Sequence, residues 1–420
     1  MTTTEFIQQY RESDPRDLAF LSRRYPDVDM SFALCQIQGW QTARRKLPSW
    51  AACDGVVYPP HLSMEQCSSE PTAQYKRELA QQWLDKLDAT HHNSQPSTLN
   101  SQLSTLNPQL STMSDLTGGF GVDFSFTSRQ FDRAVYVERN PQLCRVVEAN
   151  LPRLGVNNAK VVCAEAEDYL ATLSPQTMLF LDPARRDAHG AKTVMLADCA
   201  PNVVQLLPRL MAKARFVMLK LSPMLDWHKA VDDLQGTVRE VHIVSVGGEC
   251  KELLLVLSAE VEQSLSVCCI NLPNPPFCYV PSAQNQQTAI VAKSLLAASN
   301  APLYLYEPNA SIMKAGCFAE LSRAFDVSAI SPNSHLFLSA DAVDGFPGRA
   351  FVVDKLTTMN RRELRQALSD IAKANIATRN FPLSVAELRK RLKLKDGGNI
   401  YIFATTTDEG EHILLITHKM

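Results

Sequence analysis

Apolar residues recur at two different periods along this chain, and the change of period divides it into regions. Over residues 1 to about 90 the spacing is helical. After Asp14-Pro15, a capping side chain ahead of a proline at the first helical position, the stretch DLAFLSRRY has apolar positions three and four apart. A second amphipathic run covers Met30 to Lys46 and stops before Pro48, and a third covers about Ala73 to Leu87. From Asp115 to about residue 260 the pattern alternates. Apolar, β-rich runs (AVYVE 134–138, KVVCAE 160–165, TMLFLD 177–182, RFVMLKL 215–221, EVHIVSV 240–246, ELLLVL 252–257) are separated by helical stretches. Strands alternating with helices predict a parallel sheet covered on both faces. Only GGECK separates the last two runs, too short for a crossover helix, so they are expected to pair as an antiparallel hairpin.

Two smaller regions follow. Residues 272 to 350 open with LPNPPFCYVP, read as a linker or edge. YLYEP, SHLFLS and AFVVD then read as strands around a helix from Ala310 to Phe325. Residues 351 to 420 give helices at Arg361–Lys373 and Ser384–Leu392, the turn DGGN, and strands IYIFATT and HILLITH, a second small α+β module. Residues 91 to 114 differ from everything around them: they are nearly uncharged and duplicate a heptapeptide, STLNSQL then STLNPQL. With one proline and two copies they cannot build a coiled-coil seam, so they read as a surface insertion.

Composition narrows the functional classes. A chain of 420 residues is expected to hold two to four domains. A net charge of −2 restricts any nucleic-acid role to a local basic patch. No apolar stretch is long enough to span a membrane, and MTTTEFIQQYRESD has no secretion-signal pattern, so a cytoplasmic protein is expected. The eleven cysteines are odd in number and irregularly spaced, which predicts reduced core thiols. Cys53 and Cys67 have only His61 nearby, too few ligands for zinc, so no metal is expected.

The chemistry concentrates in DLTGGFGVD, Asp115 to Asp123. Gly118, Gly119 and Gly121 between a short strand and a helix let backbone approach a ligand where a Cβ would collide. The dinucleotide fingerprint needs glycine or alanine where Phe124 stands, and the Lys-Ser/Thr of a phosphate-cradling P-loop is absent. The spacing Asp115, Gly119, Gly121 resembles motif I of the class I S-adenosylmethionine-dependent methyltransferases. That resemblance implies S-adenosyl-L-methionine as cofactor, held by Asp115, Thr117, Gly119 and Gly121. It assigns Glu138 at a strand end to the ribose hydroxyls and Glu165 to the adenine amino group. It further matches Asp182-Pro183 to the family's (D/N)PP-type catalytic motif. Here Ala184 replaces the second proline and no aromatic residue follows, so the base-stacking platform of many base N-methyltransferases is missing. With an amine as acceptor, Asp182 and the Pro183 carbonyl would hold its hydrogens, positioning being the main need of a one-step displacement. The alternative role for Asp182 is to cap the following turn.

Further candidates lie on loops that this topology places round a substrate. Arg185 and Arg186 contact a phosphate or pair with surface acids. Lys220 in KLSP and Glu249 in GGECKE follow the fifth strand and join the hairpin, and Gln66 and Ser69 in SMEQCSSE precede the glycine-loop strand. Near the C-terminus, RNFPLSVAELRKRLKLK carries six basic residues, Arg379, Arg389, Lys390, Arg391, Lys393 and Lys395, and one acid. Residues 351 to 420 are +4 against about −6 for the rest, as attraction to phosphate requires. EPNASIMKAG (307–316), SHLFLS, FPGR and residues 374–403 resemble a bacterial family of class I methyltransferases with a small ferredoxin-like insert and a C-terminal THUMP-like domain. The resemblance implies a Rossmann-like methyltransferase sheet at 115–260, parallel with an antiparallel last strand. Around it stand an N-terminal helical domain at 1–90, a ferredoxin-like module at 272–350 and a THUMP-like domain at 351–420. An S-adenosylmethionine-dependent methyltransferase acting on tRNA or rRNA is the leading expectation. A protein or small-molecule methyltransferase, and an RNA-binding protein with a vestigial cofactor pocket, are the alternatives.

Overall fold

The computed structural model describes residues 1–93, 110–184, 195–261, 263–281 and 302–420, with only the backbone of 90–93. The duplicated heptapeptide, apart from Leu110, and Arg185 and Arg186 lie outside the described residues. The chain forms two compact units: residues 1–241 with 252–265, and residues 242–251 with 266–420.

In the first unit six helices among the described residues precede the sheet: α1 (Thr3–Tyr10), α2 (Pro15–Ala19), α3 (Met30–Lys46), α4 (Pro48–Ala51), α5 (His61–Gln66) and α6 (Glu70–Asn93). Their starts follow the capping rules. Thr2 and Glu5 form a reciprocal capping box, Asp14 accepts from Arg16 N–H ahead of Pro15, and Asp29 accepts from Phe32 N–H. Then β1 (Thr112–Asp115), α7 (Val122–Thr127), β2 (Arg133–Glu138), α8 (Pro141–Arg153), β3 (Ala159–Cys163), α9 (Ala166–Thr172), β4 (Gln176–Leu181), α10 (Val203–Lys213), β5 (Ala214–Leu221), α11 (Trp227–Asp233), β6 (Val238–Val246) and β7 (Glu249–Leu257) follow. The strands lie in the order β3-β2-β1-β4-β5-β7-β6. β3, β2, β1, β4 and β5 are parallel, and β7 runs antiparallel to β5. Gly247 and Gly248, both at positive φ, make the two-residue turn of the β6–β7 hairpin. The central strand β4 is buried along its whole length, as a strand covered on both faces must be.

The N-terminal helices and the glycine loop share one core. Ala43, Leu47, Trp50, Tyr58, Met64 and Ala73 pack with Phe120, Val122 and Phe126. Each large apolar side chain buried here contributes about 1.5–3 kcal/mol, so the helices fix the loop and not merely flank it.

The second unit contains the hairpin tip, β8 (Ser266–Leu272) and β9 (Phe277–Tyr279). A seven-stranded sheet follows, in the order β11-β12-β10-β13-β16-β15-β14. Its elements are β10 (Tyr304–Pro308), α12 (Ala310–Ala315), α13 (Phe318–Phe325), β11 (Ser328–Ala329), β12 (Phe337–Ser339), β13 (Gly348–Thr358), α14 (Arg361–Ala367), β14 (Asn375–Arg379), α15 (Val385–Leu392), β15 (Ile400–Thr406) and β16 (His412–Lys419). Three local expectations are corrected. The helix over 310–325 is two helices, because Gly316 takes a left-handed conformation at φ +71° and ends the first. The helix expected over 361–373 ends at Ala367. Of the two readings of LPNPPFCYVP, linker or edge, the edge holds: LPNPPF is a hairpin turn leading into the edge strand β9, and it brings Cys268 opposite Cys278 on antiparallel β8 and β9, where they form a disulfide with Cα atoms 4.1 Å apart. The expectation of wholly reduced thiols fails there because only the strand register makes these two cysteines neighbours.

Candidate active site

β1 ends at Asp115, whose carboxylate accepts from Thr117 N–H at 2.9 Å. Burial pushes this carboxyl well above the usual carboxylate range, and the charges of Asp123, Asp182 and Glu138 add to the effect. The loop then turns through Gly118, Gly119 and Gly121. A Cβ on Gly118 would sit 2.1 Å from the ring of Tyr136, so the chain passes flat against that ring. Gly119 and Gly121 have φ of +56° and +77°. At Gly119 a Cβ would meet nothing nearer than a carbonyl oxygen at 3.8 Å, which leaves open space in front of the loop. Glu138, at the end of β2, is half-buried and ties this loop to the next: it accepts from Gly119 N–H at 3.0 Å and from Asn140 N–H at 2.8 Å.

Thr117 joins the glycine loop to the end of β4. Its hydroxyl accepts from Asp182 N–H at 2.6 Å. The Asp182 carboxylate in turn meets Lys220 Nζ at 2.6 Å, from the end of β5. Pro183 beside it is buried, and Ala184 pairs with Ala200 through backbone hydrogen bonds.

Behind Asp182 a chain of charges runs into the interior. Lys220 also lies 3.3 Å from Asp123, the last residue of the glycine-loop motif, and Asp123 lies 3.1 Å from Lys76 of α6. Lys76 is fully buried and also pairs with Glu252 of β7, while Ser68 donates to Asp123 at 2.7 Å. Burial alone would lower the Lys220 pKa and raise that of Asp123. For Lys220 the charges of Asp182, Asp123 and Glu252 outweigh burial and hold the ammonium well above its usual range; for Asp123 Lys76 and Lys220 outweigh it and hold the carboxyl below its own. At Glu252 burial wins and the carboxyl is raised.

Asp115, Thr117, Gly119, Gly121, Glu138, Asp182 and Lys220 thus adjoin one another through these contacts. Glu165 sits two residues beyond the end of β3, at the N-cap of α9, exposed and 4.0 Å from Arg139. Ser69 is spent locally on Thr72 and Gln66 is exposed; the residue of that stretch that reaches the network is Ser68. Lys76 and Glu252 were not singled out from the sequence, nor was Asp123 within its motif. Lys76 did leave a signal, since it interrupts the stripe Ala73, Ala80, Trp83, Leu87 where an apolar residue belongs.

Glu249, Arg379, Arg389, Lys390 and Arg391 belong to the second unit. Glu249 is exposed and paired with Lys251. Arg379 is on β14, not on the basic helix, and binds Glu307 at 2.8 Å; Arg349 grips the same buried carboxylate. Arg389 is held by Asp396 at 2.6 Å and by the Ala374 carbonyl at 2.9 Å, which leaves Lys390 and Arg391 as the exposed cations of α15.

Residues 304–347 match a family model for a ferredoxin-like domain and residues 348–419 one described as THUMP domain-like. No curated protein matches the chain. Among solved structures, "Crystal structure of putative methyltransferase from Porphyromonas gingivalis W83" is 27% identical with a TM-score of 0.77, over 99% of this chain and 97% of that one. An S-adenosylmethionine-dependent methyltransferase from Agrobacterium tumefaciens is 15% identical with a TM-score of 0.28, over 38% of this chain and 59% of its own. Cofactor-bound Rv0187 from MTB is 17% identical with a TM-score of 0.33, over 60% of this chain and 100% of its own. The strand order, the glycine loop and the two matched modules make this chain a class I methyltransferase-fold protein that carries ferredoxin-like and THUMP-like modules at its C-terminal end.

Proposed function

We propose that the protein is an S-adenosyl-L-methionine-dependent methyltransferase whose acceptor is a base of tRNA or rRNA. The observation that carries this reading is the junction of the glycine loop with Asp182. One hydrogen bond from Asp182 N–H to Thr117 joins the cofactor-type loop to the catalytic-type motif, and Lys220 fixes the carboxylate. S-adenosyl-L-methionine, when bound, supplies an electrophilic methyl carbon on a sulfonium sulfur. The residues present fit it. The space before Gly119 would be filled by any larger side chain, and Glu138 keeps lone pairs for hydroxyl donors beyond the two backbone N–H groups it already accepts. Glu165, exposed at the N-cap of α9, is the acid available to an adenine amino group. Asp182 Oδ1 has no partner among the described residues, so it is free to accept an N–H from the acceptor while Lys220 holds Oδ2. The Pro183 carbonyl is the second candidate acceptor. That division of labour would orient a nitrogen lone pair toward the methyl carbon.

The RNA acceptor is supported by the THUMP-like match and by the exposed cations Lys390 and Arg391. Calorimetry with S-adenosylmethionine and S-adenosylhomocysteine, followed by transfer of a radiolabelled methyl group to total RNA, tests both halves. Gly119→Val is expected to abolish cofactor binding. Asp182→Ala is expected to lose methyl transfer while keeping cofactor affinity within several-fold. Tight binding of NAD but of neither methionine derivative would overturn the cofactor, and label entering protein or small molecules but not RNA would overturn the acceptor.

A further inference from the structure

A recess of about 360 Å³ opens on the first unit, with Trp50, Glu70, Arg77, Phe126, Arg129 and Arg153 among its walls. Phe126 belongs to the last turn of α7, so the recess lies at the far end of that helix from Gly121 and the cofactor loop. Three guanidiniums meet there, and among the described residues none of them has a carboxylate partner. Arg129 donates to the carbonyls of Ser125 and Leu154 at 3.0 and 2.8 Å, and Arg153 donates to that of Ala149. Arg77, exposed on α6, has no side-chain partner among the described residues.

The one acid in the wall forms no ion pair with them. Glu70 is buried, and it accepts from Ser49 N–H at 2.8 Å, from the Ser49 hydroxyl at 2.9 Å and from Gln74 at 3.4 Å. Other cations of this unit are paired with acids: Lys76 and Lys220 in the network, Lys86 with Glu240, Arg215 with Glu260. The lining of the recess thus holds three guanidiniums against one carboxylate, an excess of positive charge. Burial and the neighbouring charge of Arg77 both lower the pKa of Arg129, a sign of mutual repulsion. An anion with two or more charges and several acceptor oxygens relieves that repulsion and matches the planar donor fork of each guanidinium.

We propose that this recess binds a phosphate group, carried by a small phosphate compound or by a nucleic-acid backbone. The proposal does not rest on methyl transfer. Full-length protein is titrated calorimetrically at low salt with pyrophosphate and, separately, with a twelve-nucleotide single-stranded RNA, and both titrations are repeated on Arg77→Glu. Arg77 is exposed and has no side-chain partner among the described residues, and unchanged circular dichroism and an unchanged urea-unfolding midpoint verify that the variant is folded. The expected result is at least a tenfold loss of affinity in one arm. A loss for pyrophosphate alone assigns the site to small phosphates. A loss for RNA, with pyrophosphate competing against it, assigns it to the backbone. If Arg77→Glu changes neither affinity, or if neither probe binds, the recess is not a phosphate site.

Discussion

Lys76 and Lys390 are both helical lysines, and the two units use them in opposite ways. In the first unit Lys76 is fully buried and meets Asp123 and Glu252, with Lys220 and Asp182 completing a chain of five charges that ends at the half-exposed Asp182. In the second, Lys390 and Arg391 stand exposed on α15, while the ion pairs that hold the module, Glu307 with Arg349 and Arg379, and Arg389 with Asp396, leave their arginines partly in solvent. A buried charge cannot regain its hydration when its partner is removed, so the first arrangement is rigid and intolerant of change. A solvated charge loses little on mutation and stays available to a partner, which suits long-range attraction better than geometry.

The largest effect should come from cutting the buried chain. Lys76→Met leaves Asp123 and Glu252 without a cation inside the core and is expected to cost about 3–5 kcal/mol in urea unfolding. The double variant Lys76→Met with Glu252→Leu should recover much of that loss; a single variant as stable as the parent would show that the network is not dry. Next in size is Arg379→Ala, which removes one of two cations from buried Glu307. The remaining pair with Arg349 limits the cost to about 1–3 kcal/mol, measurable by the same unfolding curves.

The two acids of the glycine loop sharpen the contrast through pH. Asp123, held below its usual pKa, contributes stability that is present above its unfolded value and is lost as pH falls through the folded one. Asp115, raised by burial, does the reverse: its contribution is full below its unfolded value and is lost as pH rises toward the folded one. Asp115→Asn keeps an oxygen for Thr117 N–H, and relative to the parent it should gain stability as pH rises above the ordinary carboxylate range. A difference that stays constant as pH rises would remove Asp115 from the titration.

The smallest effect on stability belongs to Lys390→Glu with Arg391→Glu, within about 0.5 kcal/mol because neither side chain is buried. Arg389 is left in place since it braces the module through Asp396 and Ala374. RNA affinity should nonetheless fall, and the slope of log affinity against log salt should flatten by about 0.7–0.9 per lost phosphate contact. Parent-like RNA binding at physiological salt would reduce these cations to a solvated helix face.

Much of the fold was legible because its strongest signals are local. Every strand expected between 134 and 257 is present within two or three residues, and α3 spans Met30 to Lys46 as its apolar spacing predicts. The glycine loop was legible for the same reason: its residues are contiguous, and glycine is the residue that takes the positive φ of Gly119 and Gly121 most readily. The disulfide and the split of residues 310–325 were missed. The first depends on which strands pair, and the second on a single glycine whose left-handed backbone outweighed a continuous helical pattern.

The sequence by itself determined the alternation of strands and helices, the glycine loop after β1, Asp182 at the end of β4 and the basic character of residues 379–395. Periodicity, backbone conformation and charge count are properties of neighbouring residues, so no folding is needed to read them. Only the tertiary structure decided which charges meet. Lys76 and Glu252 are separated by 176 positions and Arg379 and Glu307 by 72, and whether each lysine or arginine is buried, paired or free followed from packing that no local pattern encodes. That packing made Lys220 the partner of Asp182, placed Arg379 on a strand, and gathered Arg77, Arg129 and Arg153 around one recess with none of them ion-paired among the described residues.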